Sequence, residues 1–361
     1  MERGGAVEDM ARVKSGKGQR KATPSGEKAE AAREKQWQGK RVFVTGATGV
    51  IGLHLTRALE GAGAEVTVLV RDWVPRARYL GEWLDGTGNV TVVRGDLSDR
   101  DLLSRILAEY ETEVIFHLGA QTIVRAGNVS PVTTFAANIA GTWNLMEAAR
   151  TTGMYDGDGI SAICVASSDK AYGTAETLPY TEEMPLSADH PYDVSKSCTD
   201  LIARSYAVTY DLPVGIARMG NIYGPGDLNF SRIIPGTIRS VLEGKAPVIR
   251  SDGTPVREYF YVADAVDAYL TLAEGIGRPG VRGQAFNFSS GERRTVRDVV
   301  DLILSRMGSH LEPRVLSTAK HEIQEQYLSI AKARKVLGWK PRTVLADGLE
   351  ETIAWYREVL S

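Results

Sequence analysis

The chain has 361 residues, enough for two domains or one large one with a filled core, and its 43% apolar content is that of an ordinary globular protein. A net charge of −2 excludes a global electrostatic drive toward nucleic acid or an anionic membrane, and no apolar run is long enough to span a bilayer. Cys164, Cys198 and the scattered histidines show neither CxxC nor ligand spacing, which predicts reduced thiols in a cytoplasmic protein and no metal.

Residues 1–39 are rich in Lys, Arg, Glu, Gly and Ala and poor in large apolar side chains. Burial there cannot offset the entropy of ordering, so a disordered charged tail is expected. No apolar segment follows its early charges, which argues against a secretory signal. A solvated helix or docking arm over 27–36 is the alternative.

The first ordered element is a strand at Arg41-Val42-Phe43-Val44-Thr45. It runs into Gly46-Ala47-Thr48-Gly49-Val50-Ile51-Gly52 and then an amphipathic helix from Leu53. Strand, glycine turn and helix start together make an anion site, because backbone N–H groups and the helix dipole meet a pyrophosphate there. The spacing is GxxGxxG, so the motif carries weight through its position between strand and helix. The next strand, Glu65 to Val70, ends at Arg71-Asp72. An acidic residue there suits the ribose hydroxyls of NAD and an arginine suits the 2′-phosphate of NADP, so Asp72 and Arg71 leave both cofactors open.

Further strands lead to Gly95-Asp96-Leu97, to Gly119-Ala120-Gln121 after Leu118, and from Ile160 to Ala166 into Ser167-Ser168-Asp169-Lys170. Asp96 is placed to reach the adenine amine. This rhythm predicts an α/β fold, a Rossmann-type doubly wound parallel sheet with ligands beyond the carboxyl ends of its strands. The expected division is 40–220 as the dinucleotide-binding domain, with 262–290 returning to it. The loop-rich segments 221–261 and 291–361 then form a smaller C-terminal substrate-binding α/β domain.

Tyr192 and Lys196 are four residues apart, so a helix presents them on one face. A phenol of pKa about 10 is a poor base at neutral pH, and a nearby ammonium together with an oxidised nicotinamide would stabilise its anion. Tyr192 then takes a hydroxyl proton while hydride leaves the same carbon, with Ser167 or Ser168 holding the reacting oxygen. Asp169 and Lys170 add an acid and an amine, which suggests loss of water from the transiently oxidised substrate.

From about Lys40 onward the chain resembles the extended short-chain dehydrogenases/reductases that modify sugar nucleotides, and within them the nucleotide-sugar 4,6-dehydratases. The Ser168-Asp169-Lys170 version of the strand end is similar to that of CDP-glucose 4,6-dehydratases. Segments Phe116 to Gln121, Val124-Arg125, Gly220-Asn221 and Ser231-Arg232-Ile233-Ile234-Pro235 carry the same resemblance. The segments Ile222 to Asp227 and Arg257 to Asp264 look more like the general epimerase/dehydratase family, which leaves the nucleobase open.

The resemblance implies NAD as cofactor, with NADP kept open by Arg71. Gly46, Thr48, Gly49, Val50, Ile51, Gly52, Asp72, Asp96, Leu97, Leu118, Ala120, Gln121, Tyr192 and Lys196 would line it. A nucleotide-diphosphate hexose would meet Gln121, Arg125, Asn221, Arg232 and Arg257. Planar guanidinium groups suit a diphosphate, and Arg257 is the strongest of these candidates. The implied reaction oxidises C4, expels water across C5 and C6, and returns hydride to C6. Asp169 would protonate the departing 6-hydroxyl. Lys170, at least partly neutral, would remove the C5 proton, or as a cation it would stabilise the enolate. A homodimer is implied as well. Two other readings remain, a sugar-nucleotide epimerase needing only the Tyr192 cycle and a non-catalytic dinucleotide-sensing protein. The second would be expected to lack Tyr192 and Lys196.

Overall fold

A computed structural model defines residues 33–72, 88–152, 159–318 and 323–360, apart from the side chains of 124–126. Its strands are β1 (Arg41–Thr45), β2 (Glu65–Val70), β3 (Val90–Arg94), β4 (Val114–His117), β5 (Ala162–Ala166), β6 (Val214–Met219), β7 (Asn221–Tyr223), β8 (Val248–Ile249), β9 (Val256–Tyr261), β10 (Ala285–Phe288), β11 (Arg293–Thr295), β12 (Arg314–Val315) and β13 (Glu325–Gln326). Seven of them form one parallel sheet in the order β10-β6-β5-β4-β1-β2-β3. The order reverses between β1 and β4, the switch point at which open α/β sheets bind ligands.

These strands are buried on both sides, which is why they read as continuous apolar runs. Val42, Val44 and Phe116 point to one face, toward α1 (Val50–Gly61). Phe43, Ile115 and Ile163 point to the other, toward α2 (Arg100–Glu109), α3 (Gly141–Thr152) and α4 (Pro191–Tyr210). The period of two along each strand places them so. Helix α4 starts at Pro191, whose fixed φ and missing N–H suit a first helical position, and has Asp193 in its first turn. That start sets Tyr192 and Lys196 at the sheet's carboxyl edge.

The smaller unit is built on β9, which pairs with β7, β11 and β13, and on α5 (Ile233–Leu242). Helix α6 (Val262–Gly275) leads from β9 back to the large sheet, followed by α7 (Val296–Met307) and α8 (Leu345–Leu360) over β9. A capping box, with Thr295 and Asp298 each accepting from the other's backbone N–H, starts α7.

Two boundaries differ from expectation. The tail predicted over 1–39 has packed structure from Arg33, while 1–32 lie outside the described residues. Trp37 is buried with its ring 6.0 Å from that of Phe116, and the Arg33 guanidinium bonds Asp267, Thr271 and Glu274 of α6. One indole and one well-placed cation suffice, and average composition hides both. In addition, Ala333, Leu337 and Trp339, expected in the substrate-binding domain, pack in the core of the large sheet. Trp339 meets Phe260 and Phe288 edge to face at 5.8 and 5.0 Å.

Candidate active site

The candidate cofactor cradle is the turn after β1. Gly46 has φ 78°, and a side chain there would come within 2.6 Å of the Leu118 backbone. A Cβ on Gly52 would overlap the Gly46 carbonyl. Glycine is therefore required for the turn to close against α1. The N-terminus of α1 has no side-chain cap and no acid in its first turn. Free N–H groups with no competing negative charge suit a pyrophosphate, so the turn fits a dinucleotide. Val50 and Ile51 pack inward on apolar neighbours, and Thr48 is half-buried in the turn.

At the ends of β2 and β3, Arg71 Nε lies 3.3 Å from Asp72 and 3.9 Å from Asp96. These exposed groups form one cluster with two carboxylates to one guanidinium. Leu97 packs against the core at the same edge, while Leu118, Ala120 and Gln121 follow β4.

Sequence reasoning missed two groups that organise this edge. His117, fully buried, bonds Thr45 Oγ1 at 2.9 Å and Thr142 Oγ1 at 3.1 Å. Asn138 accepts from the Gln121 N–H at 2.7 Å and donates to Ser195 Oγ at 2.8 Å. It thereby ties the end of β4 to α4. Each is a lone polar residue in an apolar stretch, with no spacing signal.

Burial, helped by the charge of Lys196, drives the His117 pKa down to about 3. A histidine held neutral in the fold adds stability that is complete above its unfolded value near 6.5 and is lost as pH falls toward 3. Acidification from pH about 7 to about 4 should therefore remove on the order of a few kcal/mol through this group. Denaturant unfolding of wild type and His117→Asn at both pH values checks this; equal losses would refute it.

The candidate reaction centre is at the end of β5. Ser168 caps the short 3₁₀ turn Asp169–Tyr172, accepting from the Lys170 N–H at 3.2 Å and donating to Asp169 Oδ1 at 3.1 Å. Ser168 is also close enough to Tyr192 to pull the phenol's pKa down slightly, against the dominant effect of burial. Ser167 Oγ is buried with no partner among the described residues.

Asp169 is buried against Gly220, where an added methyl would lie 3.3 Å from Oδ2. Burial pushes its carboxyl above the usual range, against the lowering pull of Lys170, Ser168 and Arg257. Asp193, which sequence reasoning also missed, is buried in the first turn of α4. Burial raises its pKa too, and the charges of Lys170 and Asp169 both reach it.

Burial pushes Tyr192 up to about 12, with Asp169 and Asp193 adding to the rise and Arg232 opposing it. Burial also lowers Lys196 to about 8, and its ammonium donates to the Ala166 carbonyl. Desolvation thus dominates both groups in the chain without its cofactor.

The substrate candidates are spread more widely. Asn221 Nδ2 donates to the Glu258 carbonyl at 3.3 Å, and Arg232 pairs with Asp227 at 3.0 Å while its charge reaches Tyr192. Arg257, buried, donates to the carbonyls of Val256, Ile323 and Gln324 and draws the Asp169 pKa down. Its guanidinium thereby ties β9 to the segment that leads into β13. Arg125 is in the short helix Val124–Val129, and its side chain lies outside the described set. Beneath the 3₁₀ turn, Arg218 forms a buried bidentate pair with Asp200 at 2.8 and 2.9 Å and donates to Tyr172. This rigid base fixes the turn that carries Asp169 and Lys170.

Among the described residues no cluster of His, Cys, Asp and Glu is placed to hold a metal, and no helix is long and apolar enough to cross a membrane. The family model described as GDP-mannose 4,6 dehydratase matches residues 43–352. The chain is 31% identical to a CDP-glucose 4,6-dehydratase of Salmonella typhimurium, over 89% of this chain and 91% of that protein. It is also 31% identical to a UDP-glucose 4-epimerase of Mycolicibacterium smegmatis, over 88% of this chain and 98% of that one. Among solved structures, the dTDP-glucose 4,6-dehydratase DesIV of Streptomyces venezuelae with NAD bound is 30% identical. It aligns with a TM-score of 0.79 over 88% of this chain and 97% of its own.

Proposed function

Because the chain belongs to the GDP-mannose 4,6-dehydratase family, we propose that it is an NAD-dependent nucleotide-sugar 4,6-dehydratase converting an NDP-hexose to the NDP-4-keto-6-deoxyhexose. The observation that carries this reading is the buried Asp169, bonded by Ser168 and near enough for its charge to reach Tyr192, with Lys170 next in the same turn. An epimerase needs only the tyrosine cycle. A carboxyl that burial pushes above its usual range and an adjoining amine are what an elimination adds.

NAD, when bound, accepts hydride from C4 and returns it to C6, and its oxidised ring supplies positive charge that favours the Tyr192 anion. Tyr192 takes the 4-hydroxyl proton while Ser168 hydrogen-bonds the reacting oxygen. The resulting ketone acidifies the C5 hydrogen, and Lys170 receives that proton or stabilises the enolate. Asp169 gives its proton to the 6-hydroxyl as water leaves. The proton removed from C5 returns to C5 as hydride adds to C6, and the proton taken at O4 by Tyr192 offsets the one Asp169 gives to the departing water, so the proton count closes. NAD is favoured over NADP because Asp72 and Asp96 already engage Arg71, and two carboxylates repel a 2′-phosphate.

The Ser168-Asp169-Lys170 site makes a CDP-glucose-like substrate the first candidate. A panel of CDP-, dTDP-, UDP- and GDP-hexoses tests the reading. One of them should give a product with the alkaline ultraviolet absorbance of a 4-keto-6-deoxy sugar, and epimers alone would overturn it. A homodimer is supported by Leu201 and Val208, exposed seven residues apart on one face of α4, and by exposed Trp143 on α3. A monomeric mass in solution would contradict it. The two free thiols suit the cytoplasm.

A further inference from the structure

Lys170 does not stand alone at the end of its turn. Its Nζ donates to Oε1 of Gln326 at 2.6 Å, and Gln326 comes from the other sheet, on β13, in register with Arg257 of β9. The Gln326 side chain is buried, and its Nε2 has no hydrogen-bond partner among the described residues. A buried amide with an unpaired donor carries a desolvation cost that an apolar residue at this place would not incur. The residues before it, Ile323, Gln324 and Glu325, line a cavity of about 600 Å³ together with Leu178, Asp189 and His190. The strand that holds the lysine therefore also borders open space beside the catalytic turn.

We propose that Gln326 is the positioning residue for Lys170, a neutral acceptor that aims the amine without fixing its protonation state. The chemistry of the side chain supports this assignment. A carboxamide oxygen accepts from an amine and from an ammonium alike, whereas a carboxylate in its place would favour the ammonium. An amine that must take or stabilise charge at C5 needs an anchor of the first kind. The unpaired Nε2 leaves a donor whose natural complement is an oxygen acceptor, such as a sugar hydroxyl. The link also joins the two units, since the acceptor belongs to the sheet of the smaller one and the donor to the catalytic turn of the larger.

This inference rests on the dehydratase reading, and its test separates the two. The pH dependence of elimination is compared in wild type, Gln326→Glu and Gln326→Leu, with C4 oxidation followed separately as transient reduced nicotinamide. Gln326→Glu keeps the shape and the acceptor. It should move the pH limb governed by Lys170 upward by about one unit, whether the lysine works as base or as cation. Gln326→Leu should slow elimination by roughly tenfold or more while C4 oxidation changes by less than about threefold. A Gln326→Glu profile superimposable on that of wild type would overturn the proposal, even if the leucine variant fails to fold. If wild type itself yields no 4-keto-6-deoxy product from any nucleotide hexose, the dehydratase reading fails instead.

Discussion

Asp169→Asn is expected to lower the elimination rate by roughly 10³-fold while leaving C4 oxidation within about threefold of wild type. The carboxamide keeps the shape of the carboxyl and can still accept from Ser168, so the turn should hold. What it lacks is an ionisable carboxyl, which burial pushes upward on Asp169 against the pull of Lys170, Ser168 and Arg257. Without it the 6-hydroxyl must depart as hydroxide. In a single turnover, reduced nicotinamide should therefore accumulate and persist instead of decaying as hydride returns. Equal losses in oxidation and elimination would remove Asp169 from the role of leaving-group acid.

Tyr192→Phe should cost C4 oxidation roughly 10³-fold, and every later step with it, because the phenol is the group that takes the O4 proton in the proposed reaction. Ground-state binding should change little, since the ring remains and only one hydroxyl is lost. Burial holds the phenol near 12, so the residual dependence on pH is informative. Wild-type oxidation should rise with pH until deprotonation of Lys196, lowered to about 8 in the unliganded chain, weakens the site. The phenylalanine variant should lose the rising limb. Oxidation within tenfold of wild type would mean that another group acts as base.

The sheet and the positions of the catalytic turn and Tyr192-Lys196 were legible because local signals and fold agree. Glycines follow a strand, apolar runs recur between helices, and tyrosine and lysine share one helical face. What escaped was set by tertiary packing. Gln326 reaches Lys170 across 156 residues of chain, and Asn138 reaches Ser195 across 57. No periodicity records such pairings. For Arg257 the sequence shows the residue type but not that the fold directs some of its donors to backbone carbonyls. Trp37 and Arg33 were lost in a composition average, although one indole against Phe116 anchors that segment.

The central claim is that hydride leaves C4 and returns to C6 of the same sugar around an elimination driven by Asp169 and Lys170. It is tested most directly by turning over a nucleotide hexose carrying deuterium at C4 and locating the label by NMR. The label should be found on the C6 methyl group of a 4-keto-6-deoxy product. A C4 epimer that still carries deuterium at C4 would contradict the account.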